Sequence, residues 1–205
     1  MSEERKELQR VLRENRLAGV VNRAIDFVRN PDRSKLNKLL AAAGVVIAIA
    51  VTALLYSAHV KSVNAAAYGQ LLEGDGYFHD KKFELAVEKY GSIVQVYPDS
   101  AYEGQALYMK GNALYLLGKY DDALKTYESA LKKAGKTFKA SIMAGIAYCH
   151  EQKGDYKTAV EKYKELADEY AEYYMRDDVL MRLGSCYEQL NDQKSARSAY
   201  QRIVD

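Results

Sequence analysis

Twenty consecutive positions from Leu39 to Ala58, LLAAAGVVIAIAVTALLYSA, carry no charge. As a helix rising ~1.5 Å per residue they extend about 30 Å, the thickness of a bilayer's hydrocarbon core. Upstream, Leu8, Val11, Leu12, Val20, Val21, Ala24, Ile25 and Val28 recur at helical spacing, while Arg10, Arg13, Arg16 and Arg23 fall largely off that stripe. Asn30-Pro31-Asp32 ends this first helix, and Ser34 is placed to cap the next, which runs into the apolar stretch. The pattern predicts an amphipathic helix, a membrane-crossing helix and, beyond residue 66, a set of shorter amphipathic helices.

Those later helices repeat. Gly74-x2-Tyr77-x8-Ala86-x3-Tyr90 aligns with Gly111-x2-Leu114-x8-Ala123-x3-Tyr127, then with Ala147-x2-His150-x8-Ala159-x3-Tyr163 and Gly184-x2-Tyr187-x8-Ala196-x3-Tyr200. The four alanines are 37, 36 and 37 residues apart. Turns at Lys81-Lys82-Phe83, Gly118-Lys119-Tyr120 and Gly154-Asp155-Tyr156 fall at equivalent places, and Pro98 closes the first unit. A fixed period of this length means a stack of small units, none able to bury its apolar face alone.

The small-x2-aromatic, Ala-x3-Tyr pattern resembles the tetratricopeptide repeat over residues 67–205, with units at about 67–100, 104–137, 140–173 and 177–205. It departs from that repeat in lacking tryptophan and in placing Ala147 and His150 in the third unit. The resemblance implies an all-α chain: an N-terminal amphipathic helix, one transmembrane helix, and an α-solenoid of about four helix-turn-helix repeats. It also implies that the first helix of each unit lines a concave groove that binds proteins or peptides. The positions that would face it include Tyr68, Leu71 and Phe78, then Tyr108, Asn112 and Tyr115, then Tyr148, and finally Met181. So read, the groove is aromatic in its first half and acidic, through Glu151 and Asp178, in its second.

Charge adds an orientation. Residues 1–38 carry ten Lys/Arg against six Asp/Glu, whereas residues 61–205 carry twenty against twenty-two, within a chain of net charge +2. Arg29, Arg33, Lys35 and Lys38 precede the span, and only His59 and Lys61 follow it closely. The positive-inside rule then places a basic arm (1–38) in the cytoplasm, the transmembrane helix at 39–58, a juxtamembrane linker at 59–66 and the repeats (67–205) outside. In a Gram-negative cell this is the inner membrane with a periplasmic domain. The arm reads either as a helix resting through Arg10, Arg13, Arg16 and Arg23 on anionic lipid, or on a cytoplasmic protein, or as a solvated segment that fixes topology. Its interspersed acids argue against nucleic acid. Ala41, Gly44, Ala48 and Thr52 share one helix face, a candidate surface for self-association in lipid.

Catalytic chemistry finds no foothold. The three histidines are isolated, no cluster has metal-ligand spacing, and Gly135-Lys136-Thr137 lacks the upstream glycine of a phosphate loop, Ala130 standing there. Cys149 and Cys186 occupy one register position in successive units and are expected to be free thiols. No cofactor and no enzymatic activity are expected. The layout is similar to that of the YfgM-like proteins, ancillary subunits of the SecYEG translocon, which implies a scaffold beside the translocon and periplasmic chaperones. Another envelope-assembly or secretion machine, and a cytosol-facing receptor on an organelle surface, are the alternatives.

Overall fold

The computed structural model describes residues 15–26, 32–170 and 172–204. Among the described residues there are nine helices and no strand. The first, α1, covers residues 15–26. It is followed by α2 (Arg33–His79), α3 (Phe83–Val96), α4 (Glu103–Leu116), α5 (Tyr120–Lys133), α6 (Lys136–Gln152), α7 (Tyr156–Glu169), α8 (Arg176–Gln189) and α9 (Gln193–Val204). The chain divides into two units, residues 1–58 and 59–205.

In the first unit, α1 presents Leu17, Val20, Val21 and Ile25 to the outside together with Arg16 and Arg23. Arg10 and Arg13 lie outside the described residues. Among the described residues, α2 is the one helix long and apolar enough to cross a membrane, and its apolar window is wholly exposed. Two hydroxyls in that window are satisfied by the helix itself: Thr52 donates to the carbonyls of Ala48 (3.0 Å) and Ile49 (2.9 Å), and Ser57 to Leu54 (3.0 Å). Residues 59–66 are helical and belong to α2.

The second unit is a stack of helix pairs: the C-terminal part of α2 with α3, α4 with α5, α6 with α7, and α8 with α9. Every first helix ends in the same way. Lys81, Gly118, Gly154 and Asn191 each adopt a left-handed conformation, with φ of 59°, 73°, 74° and 60°. The next residue's N–H returns to a carbonyl five residues back, as Lys82 to Tyr77, Lys119 to Leu114, Asp155 to His150 and Asp192 to Tyr187, all at 2.9 Å. This is a Schellman closure, which satisfies the orphan carbonyls of a helix end and reverses the chain in two residues. Charge then supports α5, which begins with Asp121 and Asp122 and ends with Lys132 and Lys133, complementing its dipole.

Packing follows the sequence register. Ala86, Ala123 and Ala159 are fully buried, and Tyr90, Tyr127 and Tyr163 are the largest buried side chains. Each core cluster joins neighbouring pairs: Ala106 and Ala113 of α4 close over Tyr90 and Ile93 of α3, and Ile142, Ile146 and Cys149 of α6 close over Tyr127 and Ala130 of α5. Burial thus depends on stacking, one unit covering the next.

Candidate functional site

The first helices of the pairs carry the candidate site on one face. Phe78 of α2, Tyr108, Asn112 and Tyr115 of α4, and Tyr148 of α6 surround a single pocket of about 250 Å³. Ala144 and Gly145 of α6 also line it. Rings touch along the groove: Tyr115 lies 6.4 Å from Tyr148 and 5.5 Å from Tyr120, and Tyr108 lies 5.6 Å from Phe138, all tilted. Tilted aromatic pairs at these separations hold one another in place, so the wall is preformed.

Other residues assigned to the groove from sequence lie outside the lining of this pocket. Leu71 is a core residue, 2 % exposed, on the stripe Ala67–Leu71–Gly74 that α2 buries. The residues one and two repeats later at the same register, Tyr108 and Ala144, do reach the pocket. Tyr68 is exposed and pairs with Tyr102 at 5.2 Å, away from the pocket lining. Met181 is exposed and also lies outside that lining.

Three further lining residues lie where the third predicted unit, ending at residue 173, gives way to the fourth, which begins at 177. Tyr173, Tyr174 and Met175, between α7 and α8, form one wall, and Tyr174 is 82 % exposed. Tyr173 stacks edge-on against Tyr174 at 5.0 Å and reaches Ser141 Oγ at 3.4 Å. Its phenol is pushed up to about 12, chiefly by burial. The available signal was the Tyr-Tyr-Met run at the junction of the third and fourth units.

The polar groove residues serve the buried tyrosines. Tyr90 donates to Asp75 (2.6 Å), Tyr127 to Asn112 (2.7 Å) and Tyr163 to Glu151. Each of these phenols crosses beneath a first helix and ends on an acceptor of the groove face. A buried hydroxyl requires such a partner. Burial, and for Tyr90 and Tyr163 also the carboxylate acceptor, pushes these phenols far above their ordinary range. The acidic half is likewise engaged. Arg182 of α8 meets Asp178 at 3.0 Å and Glu151 at 3.3 Å, and lies 4.5 Å over the Tyr148 ring. Tyr148 in turn donates to Asp178 at 2.9 Å. This half of the groove is therefore an internally paired network rather than a bare acidic surface.

Among the described residues no group of three or more His, Cys, Asp or Glu side chains could hold a metal ion. Cys149 and Cys186 are buried and unbridged. Burial raises both thiols to about 12.

Comparison with known proteins agrees with this geometry. A tetratricopeptide-repeat profile matches residues 71–137 and 108–174, and a second one matches residues 178–205. Similar solved structures include a tetratricopeptide repeat protein from Parabacteroides merdae, 21 % identical with a TM-score of 0.59 over 68 % of this chain. This chain spans 53 % of that protein's length. The MamA protein of Desulfovibrio magneticus is 17 % identical with a TM-score of 0.59, covering 67 % of this chain and 73 % of its own. Curated protein sequences give no match. At these identities the solved structures speak for the fold alone.

Proposed function

The chain belongs to the tetratricopeptide-repeat family, and from that premise we propose that it is a membrane-anchored adaptor whose groove captures a segment of a protein partner. Tetratricopeptide repeats are generally non-enzymatic scaffolds for protein–protein interaction. The observation that carries the reading is the pocket enclosed by Phe78, Tyr108, Tyr115 and Tyr148. Rigid aromatic rings around a concave site are the usual anchors of a peptide interface, because they bury much area and lose little side-chain freedom.

Anchoring rests on Leu39–Ala58 within α2, which is apolar, exposed and self-satisfied in its hydroxyls, as lipid requires. The excess of Lys and Arg before that span supports a cytoplasmic arm and a periplasmic repeat domain in a bacterial inner membrane. The arm would add contact with anionic lipid through Arg16 and Arg23, beside the exposed Leu17 and Val21. Within this class we place the protein as an accessory of the translocon and its periplasmic chaperones, a reading supported by the layout of arm, span and repeats.

Full-length protein solubilised from membranes in mild detergent tests this. Co-purification of translocon subunits and chaperones is expected, with the chaperones lost on Tyr108→Ala/Tyr115→Ala. Recovery of other envelope machinery would overturn the translocon placement. Retention of every partner by the double variant would overturn the groove as the binding face.

A further inference from the structure

The last helix pair borders a second pocket, which shares no lining residue with the groove. It holds about 190 Å³ between α7, α8 and α9, and its polar lining is Lys164, Tyr187, Ser195, Ser198 and Arg202. That space admits one small group rather than a peptide segment. Among the described residues both charged groups of the lining are cations, and no carboxylate joins them.

The fold does not require this charge. One repeat earlier, the same register places Glu128 for Lys164, Glu161 for Ser198 and Glu165 for Arg202. There Lys162 meets Glu165 at 2.9 Å, whereas Ala199 stands in place of that lysine in the last pair and lines the pocket. Where the earlier unit has three acids, the last has two cations and a hydroxyl, with a methyl group where a long side chain could fill the space.

The cations are available. Lys164 is exposed and, among the described residues, has no ion pair. Arg202 commits Nη2 to Asp168 (2.8 Å) and to the Ala167 carbonyl (3.4 Å), which leaves its Nε and Nη1. The Ser195 N–H donates to Asp192 at 3.0 Å. Asp168 and Asp192 thus bond to lining residues without lining the pocket themselves.

The hydroxyls of Tyr187 and Ser198 both donate and accept, so they do not choose the sign of a ligand. The ammonium and the guanidinium do, because they only donate and are charged, and an anion gains charge-assisted hydrogen bonds from them. The donors stand on three different helices. A carboxylate offers two oxygens in one plane, whereas a tetrahedral oxyanion presents oxygens in several directions at once. We infer that this pocket binds a phosphate group, free or as a monoester, with Lys164 and Arg202 supplying the countercharge and the Ser198 and Tyr187 hydroxyls completing its hydrogen bonds.

The test is isothermal titration calorimetry of full-length protein in a nonionic detergent and phosphate-free buffer at fixed ionic strength. The probes are inorganic phosphate, glycerol 3-phosphate and acetate. At least one of the two phosphates is expected to bind about tenfold or more tighter than acetate, and the tighter of the two tells a free from an esterified ligand. Lys164→Glu and Ser198→Glu each place at this register the acid that the preceding unit carries there, in a helix that folds. Thermal unfolding of both variants should match that of the parent protein, and each should weaken phosphate binding about tenfold or more. Acetate bound as tightly as the phosphates, no saturable heat from either phosphate, or unchanged affinity in either variant would each overturn the assignment.

Discussion

Tyr127 fills the space that a side chain at Gly111 would need: a Cβ placed on Gly111 would meet the ring's Cε1 at 2.5 Å. The ring is caught from the next helix as well, since a Cβ on Gly145 would meet its Cζ at 2.6 Å. Gly74 and Tyr90 repeat the relationship one unit earlier, with 2.6 Å to Cε1. The glycine is thus a steric consequence of threading a tyrosine beneath a first helix so that its hydroxyl reaches the groove face.

Gly111→Ala should therefore destabilise the repeat domain although alanine is the better helix former. Overpacking costs about 1–3 kcal/mol and the propensity gain returns about 0.5–1 kcal/mol, leaving a net loss of up to about 2.5 kcal/mol. Denaturant unfolding followed by circular dichroism measures it. Tyr127→Phe, which removes only the bond to Asn112, should cost about 1 kcal/mol. A loss from Gly111→Ala no larger than experimental error would show that the ring can move aside.

This register was legible in the sequence because it is steric: a close approach tolerates few residue types, so Gly111, Ala123 and Tyr127 recur as Gly184, Ala196 and Tyr200. Which of the first-helix positions face solvent was less legible. Leu71, Ala144 and Met181 share one register position, yet they are 2 %, 1 % and 57 % exposed. A register number fixes direction on a helix, whereas burial depends on what the neighbouring elements place there. The wall made by Tyr173 and Tyr174 was hidden for a related reason: it comes from the connection between α7 and α8, whose path no periodicity describes. Arg182 was within reach, since it stands four residues after Asp178 on one helix, the spacing at which opposite charges pair.

The four helix-ending turns differ in strain. Gly118 and Gly154 take positive φ freely, whereas Lys81 and Asn191 hold side chains in that conformation. A left-handed non-glycine residue costs about 1–2 kcal/mol, less for Asn. Lys81→Gly should stabilise the domain by about 0.5–1 kcal/mol after the added freedom of the unfolded chain is counted. Asn191→Gly should gain less. Gly118→Ala should lose about 1 kcal/mol or more, and the three midpoints compared in one denaturant series check the order.

Alkali should expose the buried phenols. Tyr90, Tyr127 and Tyr163 have their ionisation pushed up, first by burial. In the unfolded chain they ionise near pH ~10. Groups raised on folding contribute stability that is complete below the unfolded value and is lost as pH climbs past it. Stability should be level between about pH 7 and 9 with respect to these groups and fall above pH ~10. Tyrosinate absorbance should rise in two stages, the buried three contributing only with unfolding. A single stage that tracks all the tyrosines would contradict the burial.

The two thiols supply a silent background for testing orientation. With both raised to about 12 by burial, about one part in 10⁴ is thiolate at pH 8, and neither sulfur is accessible. Native protein should not react with a thiol reagent at that pH, and denatured protein should react at both positions. Lys136→Cys, on the exposed start of α6, then becomes the one reporter that a membrane-impermeant maleimide can reach. Spheroplasts expressing this variant should label without lysis if the repeats face the periplasm. Labelling that appears only after lysis would place the repeats in the cytosol, and the adaptor's partners would then have to be sought on that side.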